Sequence, residues 1–488
     1  MKKLGLFLAL IFTFSVSAFA EILQVPSPYI STIQGGIDLA ENGDTVLVLA
    51  GVYHENINFR GKNIVLASNF IFDQNTSTIH NTIIDGSDTA TVVTFNSNED
   101  STASIQGFTI RHGCYYEGAG ILCKGSSVHI AYNIIKENSA DPFCSEPDMI
   151  NMGGGVGAGI FCNDCFGIIE HNYIINNRCL GGEWGGGFGG GIFNTGRKSL
   201  IIRYNLIAWN QVDVGGNDFE GGGGILCGDS STTLIYNNTI IYNQAQDGGG
   251  IYNFSLLPNS KIFNNIIAFN SEGIRVFDLP GYIFSPLIAY NNVWENDEGN
   301  FYDGFNGTGD TTWGFNSNGI PCDSFYNIIR DPLFADISES DFHLTASSPC
   351  IDAGDPFSPF DPDSTIADMG AFYYDQTKAF VSDEKASLPA EFELSENYPN
   401  PFNSSTTIPF KVYGSRLMAQ GTILVALKIY NIKGQLVKTL MNEETEPGNY
   451  NIIWDGTDNT NREVSSGIYF YQLKTKDYTN TQKMVLLR

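Results

Sequence analysis

A glycine-rich phrase recurs along the middle of the chain and restricts the folds that the chain can adopt. Small residues precede an isoleucine, and Cys or Asn ends the phrase, at 118–123, 157–162, 189–194, 222–227 and 248–253. A second phrase follows each copy and begins at Asn133, Asn172, Asn205, Asn238, Asn265 and Asn292, so that successive residue numbers differ by 39, 33, 33, 27 and 27. Repeats at such periods are typical of a stacked solenoid and not of a globule.

Each repeat contains short β-type runs and no helical period, so the predicted solenoid is an all-β parallel β-helix. Strand alternation in the last phrase copy places Ile251 and Asn253 on the inward face. Because parallel strands stack about 4.8 Å apart, the Asn at the phrase end is expected to form an amide ladder with neighbouring coils. Cys123, Cys162 and Cys227 occupy that same position and are expected to be buried thiols.

Residues 1–20 have the pattern of a secretory signal peptide. Lys2 and Lys3 precede an apolar run over 4–16, and Ala18-Phe19-Ala20 fits the small-x-small cleavage rule. The run is short for a membrane span, and no later segment is long and apolar enough to be one. We therefore expect an exported, soluble mature chain without a membrane span.

The charge of the chain excludes one class of partner. The formal net charge is −27, and it becomes −29 when the two lysines of the signal peptide are removed. Such an acidic chain is not expected to bind nucleic acid through a basic face. The charge suits an extracellular or cell-surface protein, including one that binds divalent cations.

The mature N-terminus predicts a short helix that covers the open end of the solenoid. Residues 33–40 place apolar side chains on one helical face, with Ser31 or Thr32 as the N-cap. The following stretch, Gly51-Val52-Tyr53-His54-Glu55-Asn56-Ile57, resembles the start of pectin lyase-like β-helices, including pectin methylesterases. This resemblance implies a right-handed single-stranded parallel β-helix, which we assign to 21–375.

The chain changes character after a polar, patternless linker at 376–392. Residues 393–488 contain short alternating strands separated by turn signals, as in a β-sandwich. The motifs are Tyr398-Pro399-Asn400-Pro401-Phe402-Asn403, Trp454-Asp455-Gly456, Ser466-Gly467-Ile468-Tyr469-Phe470-Tyr471 and Lys483-Met484-Val485-Leu486-Leu487-Arg488.

These motifs resemble the type A C-terminal sorting domain of the type IX secretion system. The resemblance covers 393–488 and implies a small immunoglobulin-like β-sandwich that interacts with the type IX machinery. It also implies export through the periplasm to the outer surface of a Gram-negative bacterium or to the medium.

The short catalytic signatures of several β-helix enzymes are missing from the sequence. There is no Gly-x-Val-Asp-Phe-Ile-Phe-Gly run, no Gly-His-Gly, no Trp-Ile-Asp-His and no Gly-x-Ser-x-Gly. Enzyme activity remains open, because other β-helix lyases lack such signatures. Weak catalytic candidates are Arg203 or Arg178 as a lyase base and Glu170 as one of a pair of carboxylates.

Three long loops are expected to project side by side from successive coils, at 139–152, 178–188 and 211–221. Aromatic rings stack on sugars, and carboxylates bind hydroxyl groups or Ca²⁺. Solvated turns that pack on themselves are an equally good explanation, but Trp184 between glycines is the best single candidate for ligand contact. The predicted ligand-binding residues are Asp141, Phe143, Glu183, Trp184, Asp213, Asp218, Phe219 and Glu220.

Asp361, Asp363 and Asp368 form a second acidic group and are weak calcium candidates. The segment lacks the glycine and the terminal bidentate Glu of a helix–loop–helix calcium site, and Asx turns explain it equally well. Calcium is the one cofactor that the sequence suggests.

The sequence favours a secreted or surface β-helix protein that binds polysaccharide or another extracellular partner. One alternative is a polysaccharide lyase or glycoside hydrolase on the same fold. The other is a structural or adhesive surface protein without a specific ligand.

Overall fold

The chain divides into two compact units, Met1–Ala379 and Phe380–Arg488. A computed structural model describes residues 20–144, 154–182, 185–213, 221–228, 231–255, 260–277, 286–302, 308–379, 392–395, 397–412, 423–431, 435–445, 448–475 and 479–487.

The first unit is a right-handed parallel β-helix with three long sheets, which we call A, B and C. Sheet A contains Ile22–Val25, Thr45–Val48, Val65–Ser68, Ser104–Gln106, Ser127–Ala131, Phe166–Glu170, Ser199–Arg203, Thr232–Tyr236, Lys261–Phe263 and Leu287–Ala289. Sheet B contains Gly51–His54, Thr82–Asp85, Thr109–Arg111, Ile134–Lys136, Tyr173–Ile175, Leu206–Ala208, Thr239–Ile241, Ile266–Ala268 and Asn292–Trp294. Sheet C contains Ile57–Asn58, Val93–Phe95, Ile121–Lys124, Ile160–Asn163, Ile192–Thr195, Ile225–Cys227, Ile251–Asn253, Ile274–Val276 and Phe301–Tyr302.

Several smaller elements complete this unit. Sheet D is a short parallel sheet of Ser139–Ala140, Arg178–Cys179 and Gln211–Val212. Two antiparallel pairs follow the last coils, namely Gly314–Phe315 with Pro321–Cys322 and Phe334–Asp336 with Asp341–Leu344. The helices are Ile33–Leu39, Phe70–Asp73, Thr76–Asn81 and Gln376–Ala379, with a 3₁₀ turn at Ile337–Glu339.

Helix Ile33–Leu39 packs at the start of the solenoid. The Thr32 side chain accepts a hydrogen bond from the Gly35 amide, which caps the helix. Ile33 and Ile37 are fully buried and belong to the same core cluster as the first strands.

Each coil turns between its strands, and an amide ladder lies at two of these turns, which we call the first turn (between sheets A and B) and the second turn (between sheets B and C). The first ladder follows sheet A and contains Asn133, Asn172, Asn205, Asn238, Asn265, Asn291 and Asn327. The second follows sheet B and contains Asn138, Asn177, Asn210, Asn243, Asn270 and Asn296. In both, the side-chain oxygen of one Asn accepts from the backbone N–H and the side-chain N–H of the Asn one coil earlier. The ladders satisfy buried polar groups at these two turns.

The first ladder confirms the predicted alignment of Asn133, Asn172 and Asn205, but two details of the expectation were wrong. The ladder continues at Asn291, because Ile266 pairs with Asn292 and the coil is one residue shorter than the sequence suggested. The glycine-phrase position forms no ladder in the described residues, since both side-chain atoms of the buried Asn253 lack hydrogen-bond partners.

Sheet C is covered on both faces. Cys123, Cys162 and Cys227 point inward and are fully buried, as predicted. Strand alternation predicts that Leu226, between the inward-facing Ile225 and Cys227, faces solvent. It is only 3% exposed, because the backbone at Gly222 lies against its side chain. Gly222 has φ +72°, and a Cβ there would lie 2.5 Å from the Leu226 Cβ. The glycine runs therefore let the chain fold closely over its own strand.

The second unit is a small antiparallel β-sandwich. One sheet contains Phe392–Leu394, Thr406–Val412 and Gly448–Trp454, and the other contains Leu436–Thr445, Ile423–Asn431, Gly467–Lys474 and Thr479–Leu486. Its core includes Phe402, Trp454, Tyr469, Tyr471 and Met484, so the sequence motifs supply much of this core. No helix in the described part of the chain is long and apolar enough to cross a membrane.

Candidate functional site

The residue that precedes each ladder Asn has a left-handed backbone conformation and points its side chain outward. On the last four coils of the second ladder this position is occupied by Trp209, Tyr242, Phe269 and Glu295, with φ between +44° and +58°. The rings of Trp209 and Tyr242 stack at 5.9 Å between centroids, and those of Tyr242 and Phe269 stack at 5.2 Å. We call these four residues the second-turn column.

This column lines an open groove of about 580 Å³. The groove runs along the solenoid axis, because each residue of the column comes from a successive coil. Its other lining residues are Gln244, Ser271, Asn296 and Asp297. One wall is therefore aromatic and the remainder offers carboxylate, amide and hydroxyl groups, the combination that binds sugars in many proteins.

Two carboxylates give one end of the groove a negative charge. Glu295 and Asp297 are exposed and have no ion pair within the described residues. Burial raises the pKa of Tyr242, and the nearby charge of Glu295 raises it further. The Tyr242 hydroxyl is thus a neutral donor or acceptor close to the groove carboxylates.

The groove lies on the side of the coil where the predicted loops begin. Gln244 is the register partner of Gln211, which in turn pairs with Arg178. Those two residues start the loops at 211–221 and 178–188. Short connections after Gln244 leave this part of the surface open.

The described parts of the predicted loops show mostly local contacts. Arg178, a catalytic candidate, forms an ion pair with Asp213, a ligand-binding candidate. Asp141 accepts a hydrogen bond from the Phe143 amide and lies beside the Cys114–Cys144 disulfide. Phe143 is 62% exposed. The other predicted ligand-binding residues, Glu183, Trp184, Asp218, Phe219 and Glu220, lie outside the described residues, so their roles stay predictions.

A different arrangement occupies the first turn of the coils. Tyr132, His171 and Tyr204 precede ladder Asn residues and their rings stack at 4.8 Å and 5.1 Å between centroids. We call these three residues the first-turn column. They line a cavity of about 400 Å³ whose other walls are mainly apolar, including Phe70, Ile79 and Phe372.

The weak catalytic candidates Glu170 and Arg203 lie beside this first-turn column, in a chain of paired groups. One Glu170 oxygen lies 2.8 Å from His129 Nε2, and the other accepts from Arg203 Nε at 2.7 Å. Arg203 also donates to the Tyr236 hydroxyl at 2.9 Å. The hydrogen bond with His129 and the bonds from Arg203 hold the pKa of Glu170 at about 2, despite its partial burial.

This pairing limits the chemistry of the first turn. A carboxyl group with a pKa of about 2 stays ionised and is a weak base. Both of its oxygens are already bonded to neighbours on adjacent coils. The geometry therefore fits a network that holds four coils together better than it fits a catalytic pair.

The calcium candidates are bonded mainly to backbone amides. Asp368 accepts from the amides of Asp352 and Tyr374, and Asp361 accepts from the amide of Asp368. Asp363 accepts from the amides of Thr365 and Gln376, the second of these at 2.9 Å. Burial raises the pKa of Asp361 to about 6 and that of Asp368 to about 7. These bonds describe a turn stabilised by carboxylates, and calcium binding stays a prediction.

The aromatic columns were missed by the sequence analysis, although the sequence contains a signal for them. Aromatic residues directly precede Asn at two places in the repeat, Tyr132 and Tyr204 at the first and Trp209, Tyr242 and Phe269 at the second. The groove itself also depends on distant residues, since Phe342 packs against Trp209 at 5.7 Å between ring centroids.

Comparison with known proteins gives one family match, which lies in the second unit. Residues 418–478 match the family model of the FlgD Ig-like domain. A search among curated proteins found no significant match for the chain.

Three solved structures show limited likeness to parts of the chain. Dimeric latent PorU from Porphyromonas gingivalis matches with 20% identity and a TM-score of 0.17, covering 20% of this chain and 9% of that one. PorZ, a surface component of the type-IX secretion system of the same organism, matches with 18% identity and a TM-score of 0.14, covering 19% and 11%. A pectin methylesterase in complex with a hexasaccharide matches with 11% identity and a TM-score of 0.24, covering 59% and 82%. The chain thus spans about a tenth of the PorU and PorZ chains.

Proposed function

We propose that this protein is an extracellular β-helix protein that binds polysaccharide along the groove beside the second-turn column. The observation that carries the proposal is the groove itself, in which three stacked rings on successive coils adjoin free carboxylates. Coils about 4.8 Å apart place one ring at each step, close to the length of one sugar unit. A linear glycan can therefore repeat its contacts along the solenoid.

The polar lining complements the hydroxyl groups of such a glycan. Glu295 and Asp297 accept hydrogen bonds, while Gln244 both donates and accepts them. Because the rings stack face to face on one another, their edges line the groove, where they can contact the C–H groups of a sugar and exclude water from the polar contacts.

A pair of tyrosine variants tests this location. Tyr242→Ala removes the middle ring of the groove and is expected to weaken glycan binding by about 1–3 kcal/mol, as for other aromatic anchors. Tyr204→Ala removes a stacked ring from the first-turn column and should leave binding unchanged. Binding is measured on a glycan array and then by calorimetry with the best ligand. Equal loss in both variants, or none in either, contradicts the assignment of the groove.

The enzymatic alternative is tested on the same glycans. A lyase would produce unsaturated uronate absorbance, and a hydrolase would release reducing sugar. We expect binding without either product, because the candidate catalytic groups Arg178, Glu170 and Arg203 are engaged in ion pairs. A structural or adhesive role without a specific ligand follows if neither binding nor turnover is seen.

In the same proposal, residues 393–488 are a type IX sorting domain and 1–20 are a signal peptide. The support is the sequence resemblance of the tail motifs together with the compact Ig-like sandwich that they build. The chain would pass through the periplasm and reach the surface or the medium, where the tail would be removed.

Fusion of 393–488 to a periplasmic reporter tests the sorting proposal directly, since the unit has its own core. In a bacterium with type IX secretion, the reporter is expected outside the cell, without most of the tail. A fusion that is folded and stays in the periplasm contradicts the proposal. A reporter carrying the tail with Trp454→Asp, which buries a charge in the sandwich, should stay behind.

A further inference from the structure

The charge of the groove restricts the glycans that it can accept. Among the described residues, the groove lining contains Glu295 and Asp297 and no basic residue. The chain as a whole carries a formal charge of −27, so the wider field is also negative. Polyuronates and sulfated glycans would meet repulsion from both, and like charges placed together in a site cost several kcal/mol.

The basic side chains near the predicted loops and the first-turn column do not relieve this charge. Arg178 is paired with Asp213, and Arg203 is paired with Glu170. Glu295 and Asp297 are different, because they belong to the same coil and are both exposed. They are placed to pair with cations supplied by a ligand.

We infer that the groove is specific for polysaccharides of amino sugars with free, protonated amines. This inference rests on the proposed glycan-binding function and names its substrate class. The stacked rings of Trp209, Tyr242 and Phe269 contact the sugar backbone, and the carboxylates of Glu295 and Asp297 pair with amines at the adjoining end.

The arrangement also orients a bound glycan along the solenoid axis. The aromatic part of the groove spans three coils, and the carboxylates lie on the fourth. A chain of several glucosamine units covers both parts at about 4.8 Å per coil. Acetylation of the amines would remove the ionic contacts while leaving the ring contacts in place.

Calorimetry with three defined probes tests the inference on the full chain at mildly acidic pH. The probes are a β-linked glucosamine hexamer, its fully N-acetylated form and a galacturonate hexamer. We expect the glucosamine hexamer to bind at least about tenfold more tightly than the acetylated form, a difference of about 1.4 kcal/mol. Its affinity should fall with added salt, since the carboxylates are exposed. The galacturonate hexamer should not bind.

Charge-removing variants provide the matched control. Glu295→Gln with Asp297→Asn should reduce glucosamine binding to the level of the acetylated hexamer. Glu298→Gln removes one charge, half of that removed by the double variant, from an exposed residue of the same coil that does not line the groove, and should change affinity less than twofold.

The outcomes separate this inference from the broader proposal. Equal affinity for the amine and acetylated hexamers, or preference for galacturonate, overturns the amino-sugar inference and leaves glycan binding in place. Equal loss in the double variant and in Glu298→Gln also overturns it. If none of these hexamers and no glycan on the array binds, both the amino-sugar inference and the glycan-binding proposal are overturned.

Discussion

The first and second turns of each coil are alike inside the solenoid and different outside it. Both have an amide ladder, a left-handed residue before each Asn, and a column of stacked rings. The first turn surrounds its rings with paired charges, as in Glu170 with His129 and Arg203. The second turn leaves Glu295 beside an open groove. The same repeat thus builds one surface whose charged groups pair with each other and one whose carboxylates are exposed in a groove.

This difference indicates how a repeat fold separates stability from recognition. The inward positions are fixed by the need to bury apolar groups and pair amides at each step. The outward position before each Asn is free to vary from coil to coil. Where neighbouring outward residues have opposite charges they pair, and where they do not, the surface remains available to a ligand.

The largest effects are expected from the two ladders, which should behave alike. Asn205→Leu and Asn210→Leu, made in the same coil, each remove the acceptor of one backbone N–H and one side-chain N–H of the coil before. The side-chain amide of the preceding Asn keeps at least one carbonyl acceptor. The buried groups that lose a partner are its backbone N–H and the carbonyl that the replaced amide bonded, Ile169 O or Ile174 O. Each such group costs about 1–3 kcal/mol, so each variant should lose roughly 2–6 kcal/mol of unfolding free energy. Denaturant unfolding measures this loss. A clear difference between the two variants would show that the turns differ inside as well as outside.

The next prediction distinguishes the first turn from the second by the loss of unfolding free energy when one carboxylate is removed from each. Glu170→Gln breaks charged hydrogen bonds to His129 and Arg203 and is expected to cost about 1.5–3 kcal/mol of unfolding free energy. Glu295→Gln at the second turn should change it by less than about 0.5 kcal/mol. The two free energies come from the same unfolding experiment. Similar losses at both sites would remove the distinction between a paired turn and an open one.

Much of the fold was predictable because the repeat copies itself. The ladder at Asn133, Asn172 and Asn205 follows from the spacing of one phrase, and the Glu170–Arg203 contact follows from their equal distance from a ladder Asn. The doublet Asn291-Asn292 was assigned one residue out of register, since the sequence offers two candidates for one position. The second ladder was overlooked, although Asn138 and Asn177 stand five residues after Asn133 and Asn172.

The groove was not predictable in the same way. Its rings precede Asn residues in a regular pattern, but its shape depends on Phe342, which is far from Trp209 in sequence. Such contacts between a repeat and a later segment leave no periodic signal. The charge of the groove could not be predicted from the sequence either, because it depends on which of the many acidic residues form ion pairs in the folded chain.

A binding effect without a stability effect is expected for Trp184. The residue belongs to the predicted loop at 178–188, and glycines flank it closely in sequence. Trp184→Ala should weaken glycan binding by about 1–3 kcal/mol while hardly changing the thermal midpoint. Calorimetry and a thermal melt measure the two quantities. A sharp fall in the midpoint with unchanged binding would make Trp184 a packing residue and move the site towards the second-turn column alone.

The smallest effect is a pH dependence that belongs to the first turn. The pKa of Glu170 is about 2 in the folded protein, below its ordinary value of 4.5. A depressed pKa contributes stability that is present above 4.5 and lost as pH falls towards 2, because protonation breaks the ion pairs. At about pH 3.5 the wild-type chain should lose about 1 kcal/mol of this contribution relative to neutral pH.

The Glu170→Gln variant isolates that contribution from the other carboxyl groups. Asp361 and Asp368 have raised pKa values, so their contribution has the opposite sign and declines as pH rises towards 6 and 7. It is the same in both proteins and cancels in the difference between their unfolding free energies. That difference should shrink as the pH is lowered from neutral to about 3.5. A difference that stays constant over this range would mean that Glu170 is not held ionised by its neighbours, and the first turn would then be as open as the second.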